Sequence, residues 1–278
     1  MRIVTDDGVA LEVVEQGTGP ALVLVHGFGG AKEDFSDQID DLARDHRVIT
    51  LDLRGHGESD WAEPPRYRLE DFASDLDPVL DALAPEPVVL VGHSMGGRVA
   101  AWYAAMRPGR VRALAVLDSR MTRIGIGDAV RWRARVAGTR AGRGHPTRAA
   151  ALAAFRFVPP EPDVPPAVVA DLAHHAVRER APGDWTFRFD RGVLAHDGDG
   201  ALDLGGVLGR IRCPTLLMAG ADSWVMDAEE LVRVAAAIPG CTTRVFPGGH
   251  HFLVAHGDPA GRALREFVDA LPPRAGER

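Results

Sequence analysis

Val89-Leu90-Val91-Gly92-His93-Ser94-Met95-Gly96-Gly97 is a G-x-S-x-G sequence that follows an apolar run and precedes a stretch with helical spacing. A serine between two glycines can occupy a tight, strained turn from strand to helix, because small neighbours avoid steric clashes there. Such a turn exposes the serine Oγ, and the N–H of Met95 at the start of the helix points at a developing oxyanion. The stretch therefore predicts a strand–turn–helix unit with Ser94 as a catalytic nucleophile.

Apolar runs on both sides of this motif alternate with segments of helical periodicity. Buried strands are predicted at Ala21–Val25, Arg47–Leu51, Pro87–Val91, Val111–Leu117, Pro214–Ala219 and Thr243–Phe246. Helices are predicted at Leu69–Leu83, Met95–Met106, Ala228–Ala237 and Ala260–Leu271. This α/β alternation predicts a parallel sheet covered by helices on both faces. At the sheet edge we expect an antiparallel hairpin, formed by Ile3–Val4 and Leu11–Val14 around Asp6-Asp7-Gly8.

Residues 119–208 interrupt this alternation. They contain no clean buried strand, but they do contain short amphipathic segments, a proline-rich loop at Val158–Pro162 and aromatic side chains at Trp185, Phe187 and Phe189. The region is too long to be a loop of a compact domain. We therefore expect a core domain formed by residues 1–118 and 209–278, with residues 119–208 as a mostly helical insert over the C-terminal edge of the sheet.

Composition limits the class of protein. The formal net charge of −7 over 278 residues argues against a general nucleic-acid binder. No apolar run approaches the roughly 18 residues of a membrane helix, and two cysteines do not make a disulfide framework. We expect a cytoplasmic protein that acts on a small molecule, with no nucleic-acid or membrane partner, as a monomer or a simple homo-oligomer.

Two further glycine-rich motifs follow the first two buried strands. His26-Gly27-Phe28-Gly29-Gly30 can turn the backbone so that the Phe28 N–H faces the same oxyanion, with His26 organising the loop. Asp52-Leu53-Arg54-Gly55-His56-Gly57-Glu58-Ser59 is interpreted as a loop held by its own hydrogen bonds. A direct catalytic role for Asp52 or His56 is the alternative.

The three motifs HGFGG (26–30), DLRGHGES (52–59) and GHSMGGR (92–98) resemble, in order and spacing, those of the α/β-hydrolase fold superfamily, in its capped esterase and C–C hydrolase branch. The resemblance covers nearly the whole chain outside residues 119–208. It implies a mostly parallel eight-stranded sheet flanked by helices, with a helical cap insert. It also implies a Ser–acid–His triad in that chain order.

The triad histidine is expected in the loop after the last strand, Phe246-Pro247-Gly248-Gly249-His250-His251. Similar family members place the histidine four residues after the proline, which selects His251, whereas alignment on Gly-Gly-His selects His250. We prefer His251. The pairs His174-His175 and His250-His251 lack acidic or cysteine partners at metal spacing. We therefore expect no metal and no cofactor.

The acid is the point at which the chain departs from the family. The pattern G-x-x-D after the seventh strand would place the acid at Ser223, in Gly220-Ala221-Asp222-Ser223. Asp222 can take the role through a one-residue shift of the turn. Asp118 can take it from the end of the preceding strand, a position that some relatives use. We prefer Asp118; for each residue, an Asp that only caps the next helix is the structural alternative.

The insert contains a basic cluster, because eight arginines and one acid, Asp128, occur from Arg120 to Arg148. Lys32 is the only lysine among the 32 basic residues. The cluster is interpreted either as a solvated helical face or as a surface that attracts an anionic substrate. The aromatic residues of the insert either pack it or line an acyl pocket; they include Trp132, Phe155, Phe157 and Trp185.

These features predict a serine hydrolase that cleaves a carboxylic ester or a related acyl compound through an acyl-enzyme. His251 or His250 takes the Ser94 proton, and the amides of Phe28 and Met95 hold the oxyanion. The same groups also fit cleavage of a carbon–carbon bond or an elimination in which the serine acts as a base. A non-catalytic ligand receptor on this fold is the third hypothesis.

Overall fold

Eight strands form one sheet in the computed structural model, which describes residues 1–63, 65–122, 144–193, 203–255 and 257–272. The strands are β1 Arg2–Val4, β2 Ala10–Gln16, β3 Ala21–Val25, β4 Arg47–Leu51, β5 Val88–His93, β6 Val111–Leu117, β9 Thr215–Gly220 and β10 Cys241–Phe246. Two further strands, β7 Val177–Ala181 and β8 Asp184–Phe187, lie outside this sheet. Their order is β1-β2-β4-β3-β5-β6-β9-β10. β2 is antiparallel to β1 and β4, and the other neighbours are parallel. The predicted mostly parallel eight-stranded sheet is confirmed.

Ten helices occur in the described ranges. They are α1 Ser36–Leu42, α2 Leu69–Ser74, α3 Leu76–Leu83, α4 Met95–Met106, α5 Arg148–Ala153, α6 Pro166–Ala176, α7 Gly205–Leu208, α8 Ala228–Ala237, α9 Phe252–Ala255 and α10 Gly257–Asp269. None of these helices combines the length and the apolar character that crossing a membrane requires. A short 3₁₀ turn at Lys32–Phe35 precedes α1.

Two hydrophobic cores lie on the two faces of the sheet. Leu22 and Leu24 of β3 belong to the core that includes side chains of α1, α9 and α10. Val23 and Val25 belong to the other core, together with side chains of α2, α3, α4, α7 and α8. Successive residues of a strand point to opposite faces, so a strand covered on both sides must be apolar throughout. This is why the central strands could be recognised as continuous apolar runs.

One predicted helix is wrong in its extent. The segment Leu69–Leu83 forms two helices, α2 and α3, that meet at Asp75. Pro78 has no N–H to donate to the Ser74 carbonyl, which removes a helical hydrogen bond at this point. The carboxylate of Asp75 is buried and accepts a hydrogen bond from Arg54 Nε at 2.7 Å.

The segment between β6 and α7 includes a β-hairpin that was not predicted. Its strands are β7 Val177–Ala181 and β8 Asp184–Phe187, which pair antiparallel. Only Val177 and Thr186 of these strands are buried, so the hairpin has no apolar run that marks it in the sequence. After the hairpin, Phe189 forms an isolated antiparallel bridge with His56. This bridge joins the segment to a loop at the carboxyl edge of the sheet.

Candidate active site

Ser94 lies on the turn between β5 and α4, with φ 54° and ψ −119°. A positive φ is uncommon for a residue with a side chain, so the surrounding structure must hold this turn. A Cβ on Gly92 would lie 2.2 Å from the Gly96 carbonyl oxygen, and a Cβ on Gly96 would lie 2.2 Å from that of Val25. The two glycines therefore let strand, turn and helix pack directly against one another.

His250 connects Ser94 to Asp118. Its Nε2 lies 2.9 Å from Ser94 Oγ, and its Nδ1 lies 2.8 Å from Asp118 Oδ1. The three residues follow β5, β10 and β6 at the carboxyl edge of the sheet, where open α/β sheets bind ligands. When Nδ1–H donates to the carboxylate, Nε2 has a lone pair directed at the serine hydroxyl. The arrangement can therefore move a proton from Ser94 to His250.

The Asp118 carboxylate is fully buried and accepts several hydrogen bonds. Besides the His250 imidazole, the Gly220 N–H donates to Oδ2 at 2.8 Å and the Ser223 hydroxyl donates to Oδ1 at 2.6 Å. Asp118 has φ 44°, and its own N–H donates to the Met218 carbonyl at 2.7 Å. A buried carboxylate needs such donors, because an unpaired buried charge is strongly unfavourable.

Asp222, the alternative acid, lies outside this network. Its side chain is exposed, and its backbone N–H donates to the Gly248 carbonyl at 2.9 Å. The structure brings Asp118 to the histidine and leaves Asp222 at the surface. Ser223, where the family pattern would put the acid, contributes a hydroxyl to Asp118 instead.

The structure corrects the preference for His251. The ring that faces Ser94 is that of His250, while the His251 ring packs against Phe157 with 4.7 Å between the ring centroids. Burial lowers the pKa of His251 well below its ordinary value. The loop Pro247-Gly248-Gly249-His250 is one residue shorter than the pattern P-G-x-G-H. Counting four residues from the proline therefore goes past the histidine that faces the serine.

The two predicted oxyanion donors belong to segments that adjoin the serine turn. Met95 is the first residue of α4, and the first N–H groups of a helix have no partner within the helix. Phe28 follows Gly27, on which a Cβ would lie 3.0 Å from Ser94 Cβ. The close approach of the loop after β3 places the Phe28 backbone beside the serine.

His26 and His56 are neutral residues that hold loops. His26 Nδ1 donates to the Gly27 carbonyl at 2.7 Å, and its Nε2 accepts the Leu53 N–H at 3.0 Å. Burial lowers the pKa of His26, and it lowers the pKa of His56 to about 3. His56 Nδ1 donates to the Arg54 carbonyl at 3.0 Å. Neither ring makes a hydrogen bond to Ser94 or His250 within the described structure.

Lys32 and Asp52 form a largely buried ion pair behind the loop after β3. Lys32 Nζ lies 3.0 Å from Asp52 Oδ2 and 3.0 Å from Glu33 Oε1. The Asp52 carboxylate also accepts the N–H groups of Lys32 at 2.8 Å and of Glu58 at 2.9 Å. Its acceptor sites are thus used within the neighbouring loops, and it makes no described contact with Ser94.

A cavity of about 710 Å³ opens beside Ser94 and His250, a size typical of small-molecule sites. The wall from the core consists mainly of loop residues after β3, and the facing wall comes from residues 145–189. Apolar side chains of the two walls include Phe28, Phe35, Phe155, Phe157, Leu172, Phe187 and Phe189. Phe155 and Phe157 therefore line the cavity, whereas Trp185 does not and lies 5.9 Å from the guanidinium of Arg148.

Most of the predicted basic cluster lies outside the described residues. Six of its eight arginines lie there, namely Arg123, Arg131, Arg133, Arg135, Arg140 and Arg143. Trp132, one of the predicted aromatic residues of the insert, also lies outside the described residues. Of the two arginines that are described, Arg120 pairs with Asp227 at 2.7 Å and Arg148 lies over Trp185. Attraction of an anionic substrate by this cluster stays a prediction.

Polar groups also line the cavity. Burial, with a smaller contribution from neighbouring Glu33 and Asp52, raises the pKa of Asp34 to about 7, so this side chain can donate or accept a hydrogen bond near neutral pH. Arg156 and Arg188 lie in the wall as well, and Arg188 pairs with Glu58 at 2.8 Å. Over the described ranges, no three His, Cys, Asp or Glu side chains are grouped as a metal site would require.

Sequence reasoning missed the contacts of Ser223 and Glu161. Ser223 was considered only as the position of a missing acid. Glu161 accepts backbone N–H groups from Gly249 at 3.2 Å and from His251 at 3.0 Å. A carboxylate that binds backbone amides 88 and 90 residues away has no local sequence pattern, so only the fold could reveal it.

Known proteins resemble the chain in sequence and in structure. A family model described as alpha/beta hydrolase fold matches residues 20–157. The putative carbamate hydrolase RutD of Variovorax paradoxus (strain S110) is 31% identical over 271 residues, 92% of this chain and 94% of that protein. A putative 2-succinyl-6-hydroxy-2,4-cyclohexadiene-1-carboxylate synthase of Bacillus subtilis (strain 168) is 39% identical over 122 residues, and this match spans 43% of the chain and 44% of the relative. The crystal structure of E-2-(acetamidomethylene)succinate hydrolase has a TM-score of 0.85 and 26% identity, over 97% of this chain and 99% of that one.

Proposed function

Because the chain belongs to the alpha/beta hydrolase fold family, we propose that it hydrolyses an ester or a related acyl compound with Ser94 as the nucleophile. The names of its relatives agree with hydrolysis of a small molecule. The role of Ser94 as the nucleophile is supported by the contacts that connect Ser94 Oγ through His250 to Asp118, at 2.9 and 2.8 Å.

In the first half of the reaction, Ser94 Oγ attacks the acyl carbon while His250 Nε2 accepts the hydroxyl proton. Asp118 orients the imidazole and stabilises its charged form. The N–H groups of Phe28 and Met95 donate to the negative oxygen that forms on the acyl carbon. His250 then transfers the proton to the leaving group, whose bond to the acyl carbon breaks.

In the second half, the acyl group is bound to Ser94 as an ester. His250 takes a proton from water as the water oxygen attacks the acyl carbon. The bond to Ser94 Oγ breaks, the serine recovers a proton from His250, and the free acid leaves. No cofactor or metal takes part in this sequence of steps.

Residues 119–208 form the cap over this site in our proposal. Support comes from the shared cavity, in which aromatic side chains of residues 155–189 face the loop after β3 and Ser94. An apolar wall of this kind suits the acyl or aromatic part of a substrate, because burial of apolar surface supplies the binding free energy. The Phe189–His56 bridge fastens the hairpin segment next to the site.

A second candidate is cleavage of a C–N or C–C bond by the same groups. It is favoured by two relatives matched over nearly their whole length, whose names are putative carbamate hydrolase and E-2-(acetamidomethylene)succinate hydrolase. In an elimination, the Ser94–His250 pair would remove a substrate proton and form no acyl-enzyme. A non-catalytic receptor is less well supported, since it would not need a hydroxyl and an imidazole at 2.9 Å.

Serine labelling and a substrate panel test the proposal. A fluorophosphonate should modify Ser94 and leave Ser94→Ala unlabelled, as read by peptide mass spectrometry. Short and long p-nitrophenyl esters should be hydrolysed with a burst of nitrophenol, and Ser94→Ala should lose about 10³-fold or more in kcat. Turnover of carbamates or C–C substrates with no burst would favour the second candidate. Absence of both labelling and turnover would favour a receptor.

A further inference from the structure

Glu161 contacts the loop that carries His250 on both sides of that residue. Its Oε1 accepts the N–H of Gly249 at 3.2 Å, and its Oε2 accepts the N–H of His251 at 3.0 Å. Glu161 belongs to the segment between α5 and α6, far from this loop in sequence. One carboxylate from the proposed cap therefore spans the two peptide N–H groups that flank the histidine.

Neighbouring residues of Glu161 reinforce this contact. The Phe157 ring packs on the His251 ring with 4.7 Å between centroids. We call residues 157–161 the clamp segment. It contacts the histidine loop through an aromatic ring and a carboxylate.

The core holds the same loop by different atoms. The Asp222 N–H donates to the Gly248 carbonyl at 2.9 Å, and His93 Nε2 donates to the His250 carbonyl at 3.0 Å. The core thus binds carbonyl oxygens of the loop, while Glu161 binds its N–H groups. Hydrogen bonds to a charged acceptor are stronger than hydrogen bonds between neutral groups. Removal of the Glu161 carboxylate therefore deprives two backbone amides of a strong acceptor.

We propose that Glu161 is a positioning residue, which aligns His250 between Ser94 and Asp118 and makes this alignment depend on docking of the clamp segment. The inference rests on the proposed function, since it assigns to Glu161 an effect on a proton transfer by His250. A displacement of about 1 Å at a reacting group can cost about 10²-fold in rate. The 2.9 Å contact between His250 and Ser94 is therefore sensitive to small movements of this loop.

A purely structural role for Glu161 predicts a different result. If the carboxylate only fastened the cap, its removal would lower the melting temperature and change KM through the cavity wall. It would leave kcat and the reactivity of Ser94 unchanged. The distinction is measurable as a split between the effects on kcat and on KM for a short ester such as p-nitrophenyl acetate.

The experiment compares Glu161→Ala and Glu161→Gln with Asp163→Ala. Asp163 is an exposed acid two residues away with no described side-chain partner, so it controls for loss of a carboxylate from this loop. For Glu161→Ala we expect kcat for p-nitrophenyl acetate to fall about 10- to 100-fold, with KM changed less than about threefold. The rate of Ser94 phosphonylation should fall in parallel. Glu161→Gln should be intermediate, because its amide oxygen can still accept one N–H, and Asp163→Ala should match wild type.

Added acetate supplies a second measurement. A small carboxylate can occupy the space left in Glu161→Ala and accept the two N–H groups, so it should restore part of kcat in that variant alone. Unchanged kcat and phosphonylation in both Glu161 variants, or a change in KM only, would overturn the inference. Failure of the proposed function gives a different result: wild type itself would not be labelled at Ser94, and Ser94→Ala would keep its activity.

Discussion

The Ser223 hydroxyl donates a 2.6 Å hydrogen bond to Asp118 Oδ1, the oxygen that also lies 2.8 Å from His250 Nδ1. A residue after β9 and a residue after β6 thus meet at one carboxylate oxygen. The position at which the family pattern has an acid provides a hydroxyl, and the carboxylate that contacts His250 comes from the neighbouring strand. Two parallel strands paired in register make this exchange possible, because Leu117 lies opposite Met218 and both strands end at the same edge.

Asp118→Asn and Asp222→Asn should differ strongly in activity. Loss of a triad acid leaves the fold intact but deprives the histidine of its charged partner, which commonly costs about 10⁴-fold in kcat. Asp222 is exposed and away from His250, so its variant should stay within about twofold of wild type, as surface substitutions usually do. Hydrolysis of p-nitrophenyl acetate measures both. Equal activity of the two variants would contradict the assignment of Asp118.

Ser223→Ala should lower kcat by about 3- to 30-fold, because it removes a charge-assisted hydrogen bond to the Asp118 carboxylate and only part of that bond's roughly 1.5–3 kcal/mol is lost from the transition state. The hydroxyl also accepts the Val225 N–H at 3.1 Å, so the melting temperature should fall as well. In an Asp118→Asn background, Ser223→Asp should recover at least about tenfold in kcat, since it returns a carboxylate to the vicinity of His250 Nδ1. A double variant no more active than Asp118→Asn would show that position 223 cannot supply the acid.

Substitution of the two adjacent histidines should separate their roles. His250→Ala removes the proton acceptor of Ser94, and kcat and phosphonylation should fall about 10³-fold or more. His251→Phe keeps a ring against Phe157 and should retain kcat within about tenfold. Kinetics on the short ester, with circular dichroism as a check of folding, provide the comparison. A greater loss of kcat in His251→Phe than in His250→Ala would indicate that His251 is the base.

Four histidines, three of them buried and His251 partly buried, should make the folded protein sensitive to acid. Burial lowers the pKa of each, to about 3 for two of them; they are His26, His56, His93 and His251. As the pH falls below their ordinary value of 6.5, the unfolded chain binds protons that the folded chain does not. The free energy of unfolding should therefore decrease with falling pH, by at most about 1.4 kcal/mol per pH unit for each histidine.

Two acids oppose this effect, the buried Asp75 and the partly buried Asp34 in the cavity wall. Burial raises the pKa of Asp34 to about 7 and that of Asp75 to about 6, so both bind protons in the folded state at pH values where the unfolded chain has released them. Their contribution to stability is present in acid and is lost as the pH rises through these values. Urea unfolding from pH 8 to pH 4.5 should still show a net loss in acid. The free energy of unfolding should fall more steeply in acid for Asp34→Asn and less steeply for His251→Phe. Greater stability at pH 5 than at pH 7.5 would show that the histidines do not outweigh the two acids.

The sequence was sufficient for the sheet and for the strained turn that carries Ser94, because both depend on local patterns. Val23 and Leu24 point to opposite cores, and a strand buried on both faces is a continuous apolar run that can be recognised directly. Ser94 is identified by its flanking glycines, whose absence of a side chain is a steric requirement of the turn. Pro78 could have indicated the break between α2 and α3, since its missing N–H has a fixed structural effect.

The histidine and the cap contacts depend on distances that sequence spacing does not contain. His250 and His251 are adjacent, and a loop shorter by one residue decides which ring faces Ser94. Glu161 reaches Gly249 and His251 only because the chain folds back over 88 residues or more. The hairpin after α6 was missed because its strands are mostly exposed. In each case the deciding interaction is tertiary and has no local periodicity.

The Lys32 ion pair has a consequence for covalent chemistry on this molecule. Lys32 is the only lysine in the sequence, and 12% of its side chain is exposed between Asp52 and Glu33. Burial favours the free amine, but the Asp52 charge outweighs it and the pKa of Lys32 is raised, so the nucleophilic form is scarce at neutral pH. Acylating dyes, aldehyde-activated resins and carbamylating cyanate therefore find no accessible side-chain amine. Attachment to a surface or to a fluorophore through a side chain has to use arginine, carboxylate or thiol chemistry instead.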